Sequence, residues 1–261
     1  EMMRKLPYLN NFAISIFFSI LFSPQVISQS LLETSMESRY QLDLQVSQNE
    51  LDKVIPDGWT IEIRDRGAAK DANLRVIFIE RITVNSADGS PVGDGTNILM
   101  YLAAPVKNPS GESVQLIIGG MTADPADSPG PFGNYLVASN NKFDRITNSR
   151  DGQVVETQEW EFEAVTGEFI KMSISFERGI GALRPVRERL YCSNNSSGYC
   201  ELSKQQQMLD IMRNVTTKPE DRVKDFSFSA GGGSYAGIFD GTERVLSWDN
   251  ILWVKQEIFE Q

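Results

Sequence analysis

Histidine is absent from all 261 residues, and that absence removes much chemistry. Without an imidazole there is no Ser-His-Asp or Cys-His nucleophile, and no His-ligated zinc, haem or non-haem iron centre. Cysteine is almost as scarce: Cys192 and Cys200 are the only two, in YCSNNSSGYC. Two thiols without histidine cannot complete a zinc shell, so a disulfide closing a short polar loop in an oxidising compartment is the natural reading. Asp124 and Asp127 lack the spacing of a calcium loop. No metal and no cofactor is expected. Positive charge is short as well, with 25 basic against 35 acidic side chains and a formal net charge of −10. No clustered Lys and Arg stands out, which excludes nucleic acid and anionic lipid as expected partners; a small molecule remains possible, and oligomeric state is left open.

The one long apolar run is Phe12 to Phe22, preceded by Arg4 and Lys5 and followed by Val26-Ile27-Ser28. This is the layout of a secretory signal peptide over residues 1–28, and the run is shorter than the ~20 residues that span a bilayer. An N-terminal membrane anchor is the rival reading. The chain is therefore expected to be secreted or periplasmic. Residues 29–44 are polar and weakly patterned and read as a flexible arm, and 45–261 read as one β-rich domain.

The block from Leu74 to Ala138 holds most of the strand-type hydrophobicity. Leu74 to Val84 is nearly continuous in apolar residues, as in a strand buried on both faces or lining a barrel. Glu80-Arg81 interrupts it, either where the strand meets water or pointing into a pocket. Ile98 to Val106 and Val114 to Ile118 follow across Gly/Asp and Asn-Pro-Ser-Gly turns, and 125–133, rich in Pro and Gly, reads as a pocket rim. Trp160, Phe162 and Ala164 alternate with glutamates, and Ile170 to Phe176 alternate with Lys and Ser, forming an amphipathic hairpin. Ser47 to Glu50 fits a capping box opening a short helix. Leu202 to Val215, glutamine-rich with Met208, Leu209, Ile211 and Met212, reads as an amphipathic helix. The expected class is mainly β with a minor α part: a single antiparallel β-barrel-like domain with one or two short helices.

Local motifs do not survive inspection. Gly231 to Ala236 matches GxGxxA, but IFDGTE after it breaks the helix that would hold a pyrophosphate. Ser139-Asn-Asn-Lys142 has SxxK spacing without the buried helix or KTG strand of serine-lysine enzymes. Paired glutamates at 156, 159, 161 and 163 are unsurprising in an acidic chain.

A longer match is carried by Leu51-Asp-Lys-Val-Ile-Pro56 before a strand, the long strand Leu74 to Val84, Ala104-Pro105-Val106 ending a strand, a glycine followed by Tyr135 to Lys142, and Ile238-Phe-Asp-Gly241. In this order the chain resembles the acetoacetate decarboxylase-like family over residues 45 to 259. The resemblance implies a cone-like antiparallel barrel with a central pocket, and decarboxylation of a β-keto acid through a lysine Schiff base. The family's Lys-Lys pair falls at Asn141-Lys142, so the nucleophile position is asparagine and only Lys142 remains as an amine. A pocket carboxylate falls at Leu99 or Met100, both apolar. An amine without a neighbouring cation or carboxylate lacks the usual means of lowering its pKa.

The expected function is therefore binding of a small apolar or carboxylate-bearing ligand by an exported barrel-like protein, without catalysis. Glu80, Arg81, Met100, Tyr135 and Asn141 are the pocket candidates. The alternative is a decarboxylase-like enzyme using Lys142. A third reading is an accessory subunit of an extracytoplasmic assembly, with Trp248, Trp253 and Phe259 exposed.

Overall fold

The computed structural model describes residues 30–130, 132–195, 198–216 and 221–260; the proposed signal segment 1–28 lies outside them. Twelve strands follow in order: β1 (Leu31–Gln45), β2 (Thr60–Ile61), β3 (Leu74–Ser86), β4 (Asn97–Lys107), β5 (Ser113–Thr122), β6 (Tyr135–Arg150), β7 (Gln153–Ala164), β8 (Phe169–Glu177), β9 (Ala182–Ser193), β10 (Cys200–Asn214), β11 (Val223–Gly231) and β12 (Arg244–Glu260). One short α-helix, α1 (Gln48–Asp52), and two 3-10 turns complete the described elements. The expected short helix is thus present, although Ser47 makes no side-chain cap. No helix among the described residues is long and apolar enough to cross a membrane.

Seven strands close on themselves in the order β4-β5-β9-β10-β12-β1-β3 and back to β4. This barrel-like ring is antiparallel except at β5–β9, where Gln115–Ile117 runs parallel to Tyr191–Ser193. A second antiparallel sheet, β11-β8-β7-β6, is joined to the ring by a short parallel pairing of Gly120–Thr122 with Tyr135–Val137. The two parallel joints are the departure from the all-antiparallel expectation.

The main core lies between the ring's outer face and the second sheet. Tyr40, Leu42 and Leu44 of β1, Val76 and Phe78 of β3, and Met100 and Leu102 of β4 meet Trp160, Phe162, Ile170 and Phe176. Trp160 sits at the centre, stacked on Phe143 at 3.7 Å between centroids and 5.6 Å from Phe78. The expected β7–β8 hairpin builds this face because its period of two sends Trp160, Phe162, Ile170, Met172, Ile174 and Phe176 to one side, leaving Glu159, Glu161 and Glu163 partly in water.

Two segments depart from the sequence reading. In place of the flexible arm that the sequence predicts over 29–44, Leu31–Gln45 is strand β1, flanked by β12 and β3 inside the ring. In place of the helix that the sequence predicts over Leu202 to Val215, Cys200–Asn214 is strand β10, paired to β9 and β12. Both strands turn a polar face to the ring interior. Their buried side chains therefore include Glu33, Glu37, Arg39, Glu201, Ser203 and Gln205, and that composition imitates an exposed segment.

Candidate functional site: the polar interior of the ring

Alternation along β1 creates the site. Even positions Tyr40, Leu42 and Leu44 face the core, and odd positions Glu33, Ser35, Glu37, Arg39, Gln41 and Asp43 are buried on the other face. A buried charge is tolerated only when paired and hydrogen-bonded, and the ring supplies partners. Ser35 Oγ donates to Glu37 Oε1 (2.7 Å) and Arg39 Nε to Glu37 Oε2 (2.5 Å). Arg39 Nη2 and Gln205 Nε2 both donate to Gln256 Oε1 at 2.7 Å. Gln205 Nε2 also reaches the Tyr191 hydroxyl at 3.2 Å. Arg81, with 0% exposure, is paired with Glu33 and lies 3.6 Å from Glu37.

One end of the ring is plugged. The loop before β6 inserts Phe132 among Tyr101, Tyr135, Tyr191 and Tyr199, with its ring 5.4 Å from that of Tyr199. The Phe132 carbonyl accepts from Ser193 Oγ and Asn195 Nδ2, and Asn134 Nδ2 donates to Ile117 O (2.6 Å) and Asn194 Oδ1 (3.0 Å). Ser193, Asn194 and Asn195 belong to the loop closed by the Cys192–Cys200 disulfide, so the expected disulfide holds the plug. The space left beside Phe132 is about 10 Å³, no more than a single water needs. The Pro/Gly segment is thus a stopper and not the open rim expected. A side chain at Gly120 would collide with the Tyr135 ring and the Met100 carbonyl, so glycine there lets Tyr135 lie across β5. Behind the plug, Glu201 accepts from the Tyr199 hydroxyl at 3.1 Å.

The opposite end opens into a cavity of about 300 Å³ reaching from Arg39 and Tyr191 outwards. Arg75 Nε donates to Asp43 Oδ1 at 2.8 Å, and Ser247 Oγ to Asp249 Oδ1 at 2.7 Å. Five more arginines line it: Arg64, Arg66, Arg184, Arg187 and Arg189. None of the five guanidinium groups has a hydrogen bond or ion pair to the described residues, which is otherwise true only of the exposed Arg150 and Arg244 among the described arginines; Arg39, Arg75, Arg81, Arg145, Arg178, Arg213 and Arg222 are all paired. The patchless charge distribution read from the sequence is therefore corrected by the fold, which gathers cations from β9 and the 64–66 segment into one opening.

Titration follows from this layout. Burial pushes Glu33 to about 7 despite Arg81, and Glu201 to about 8. Burial, with Asp43 alongside, lifts Asp249 to about 7. Glu37 is the opposite case: burial opposes ionisation, but Arg39 and Arg81 win and hold it low. Arg64 falls to about 10, first through the like charge of Arg75 and then through burial; burial lowers Arg189 too. Burial raises the Tyr191 phenol, but Arg189, Arg39 and the Gln205 hydrogen bond outweigh it, and the net direction is down.

Of the sequence candidates, Arg81 points into the ring and Tyr135 lines the filled space behind Phe132. Glu80 points away from the ring, 2.8 Å from Arg145 of β6. Met100 is fully buried in the core between ring and second sheet, because its even register faces outward; Leu99 takes the inward position. Asn141 is half-buried on β6 opposite Phe162, outside the ring. Lys142 is exposed on the same strand, 2.8 Å from Asp144 and 3.4 Å from Glu159. Its hydrogen bond and charge contact with Asp144 raise its pKa, which opposes the free amine a Schiff base requires. No described lysine is buried or lines the cavity. Trp248, expected on the surface, is buried in the main core. The missed residues, Arg39, Arg75, Tyr191, Glu201 and Asp249, sit singly in polar strand faces. RDR at 64–66 and the RPVRER run at 184–189 carried a local signal, a basic cluster within an acidic chain.

No family model and no curated protein matches this chain. Its fold, however, is that of acetoacetate decarboxylase-like proteins. One similar structure is the enduracididine biosynthesis enzyme MppR complexed with the condensation product of pyruvate and imidazole 4-carboxaldehyde, with TM-score 0.52 and 8% identity, covering 97% of this chain and 96% of that one. Another is an acetoacetate decarboxylase-like enzyme from Sphingomonas wittichii RW1, with TM-score 0.51 and 10% identity, covering 88% and 92%.

Proposed function

We propose that this protein binds a small carboxylate-bearing molecule in the arginine-lined cavity of the ring, without amine catalysis. The observation that carries the reading is the set of five arginines left without a carboxylate partner around one opening, in a chain that has ten more acids than bases. Guanidinium forks match carboxylates bidentately, and a partly desolvated site strengthens each contact. The bound ligand named for MppR, a pyruvate condensation product, supports a keto-acid as the first class to try. The disulfide is compatible with an extracellular location, and we read residues 1–28 as the export signal on their sequence pattern.

The alternative, a decarboxylase, is favoured by the fold, and one pair of experiments separates the two. Calorimetric titration with pyruvate and acetoacetate is expected to show binding that Arg189→Ala weakens at least tenfold, the ~1.4 kcal/mol or more of a charged contact. Borohydride treatment with acetoacetate is expected to trap no adduct. Absence of binding by both acids ends the keto-acid class, and a trapped adduct on any lysine returns the protein to the decarboxylase class.

A further inference from the structure

The charge around the cavity exceeds what one carboxylate can satisfy. Of the seven lining arginines, Arg39 is committed to Glu37 and Arg75 to Asp43. Five remain, and the other lining carboxylate is Asp249, which burial keeps from ionising fully at neutral pH. A single carboxylate engages one guanidinium bidentately or bridges two. Three or more cations would then stay uncompensated in a space of about 300 Å³, and like charges held this close repel. Arg64 already shows that repulsion, in its pKa lowered chiefly by Arg75.

The positive charge is also drawn out in space. Arg187, Arg189 and Tyr191 occupy successive inward positions of β9, with Arg184 beyond an irregularity in its pairing with β10. Same-face neighbours on a strand stand about 7 Å apart. The cations therefore form a row from Tyr191 to the mouth, where Arg187 is exposed and Arg184 half-buried. Across the opening the row is faced by Arg64 and Arg66. The same Arg64 borders a groove on the outer surface formed by Thr60 to Arg66, Lys107 and Gln115.

Resting on the binding reading above, we infer that the ligand is a multivalent anion: one anionic group sits deep, near Arg75, Arg189 and Tyr191, and at least one more is held at the mouth by Arg184, Arg187 and Arg64. The class that fits is a small di- or tricarboxylate. A phosphorylated carboxylic acid shares the recognition chemistry, and the choice of probes distinguishes them.

The test is calorimetric titration of the full chain, at fixed ionic strength, with pyruvate, succinate, tricarballylate and 3-phosphoglycerate. Tricarballylate is expected to bind at least tenfold more tightly than pyruvate, with a steeper loss of affinity on adding salt. A larger gain for 3-phosphoglycerate would assign the mouth to phosphate. In the double variant Arg184→Ala/Arg187→Ala the polyanion-to-pyruvate affinity ratio is expected to fall about tenfold. The side chains of Arg184 and Arg187 make no hydrogen bond or ion pair to the described residues, and a thermal melt of the variant matching the parent is expected. Equal affinity for pyruvate and the polyanions overturns the inference while leaving the binding proposal standing. A ratio unchanged in the double variant overturns the role given to the mouth. No binding by any of the four overturns both.

Discussion

Glu201 offers a direct measure of how dry the plugged end of the ring is. It is 2% exposed, bonded to the Tyr199 hydroxyl, and raised by burial from 4.5 to about 8. In the unfolded chain this carboxyl ionises near its ordinary value, so between roughly pH 4.5 and 8 the folded state holds a proton that the unfolded state has released. Stability falls wherever the native state binds more protons as pH rises. The contribution of Glu201 is thus complete below about pH 4.5 and lost as pH climbs through about 8. At ~1.36 kcal/mol per pH unit the gap bounds the effect at about 5 kcal/mol, and the screening found in real protein interiors brings it to about 2 kcal/mol. Glu201→Gln keeps the shape and the acceptor for Tyr199 while removing the titration. The variant should match the parent near pH 5 and melt ~4–8 °C higher at pH 8.5, from the usual conversion of stability to Tm at this size. Thermal denaturation of both proteins at the two pH values is the assay. A difference in Tm that does not change between pH 5 and 8.5 would refute the buried-carboxyl argument.

Two further outcomes follow from the same interior. Arg81→Met leaves Glu33 and Glu37 without their shared cation in a closed space and should cost about 3–5 kcal/mol in urea unfolding, while adding Glu37→Gln to it should recover part of the loss. Replacing Cys192 and Cys200 by serine opens a loop of sequence separation 8 and should cost about 2.5 kcal/mol by loop entropy, read from the shift in urea midpoint at constant m-value.

What the sequence disclosed depended on which face of each strand was apolar. The β7–β8 hairpin was legible because its apolar positions meet the main core in alternation, and β3 and β4 because both of their faces are apolar. β1 alternates too along its second half, with Tyr40, Leu42 and Leu44 on one side. Its other side is Glu33, Glu37, Arg39 and Asp43, so a strand buried on both faces looks like a polar tail. β10 hid for the same reason: glutamines and a glutamate line the ring while Met208 and Met212 give a spacing close to helical. Periodicity reports hydrophobic burial, and the part of the ring interior that β1 and β10 supply is buried without being hydrophobic. The candidate site went largely unseen because its arginines are scattered over β1, β3, β9 and the 64–66 segment, and only closure of the ring assembles them. The resemblance located the fold but not the chemistry: the lysine it pointed to stands on the second sheet, in solvent.

The three-residue parallel contact between β5 and β9 is the shortest joint in the ring. Cys192 is one of its residues, opposite Leu116. Parting this joint would turn the closed ring into an open, curled sheet without breaking any other strand pairing, in the way a bracelet opens at its clasp. Backbone amides at 115–117 and 191–193 are then the ones that should exchange with solvent ahead of the rest of the ring.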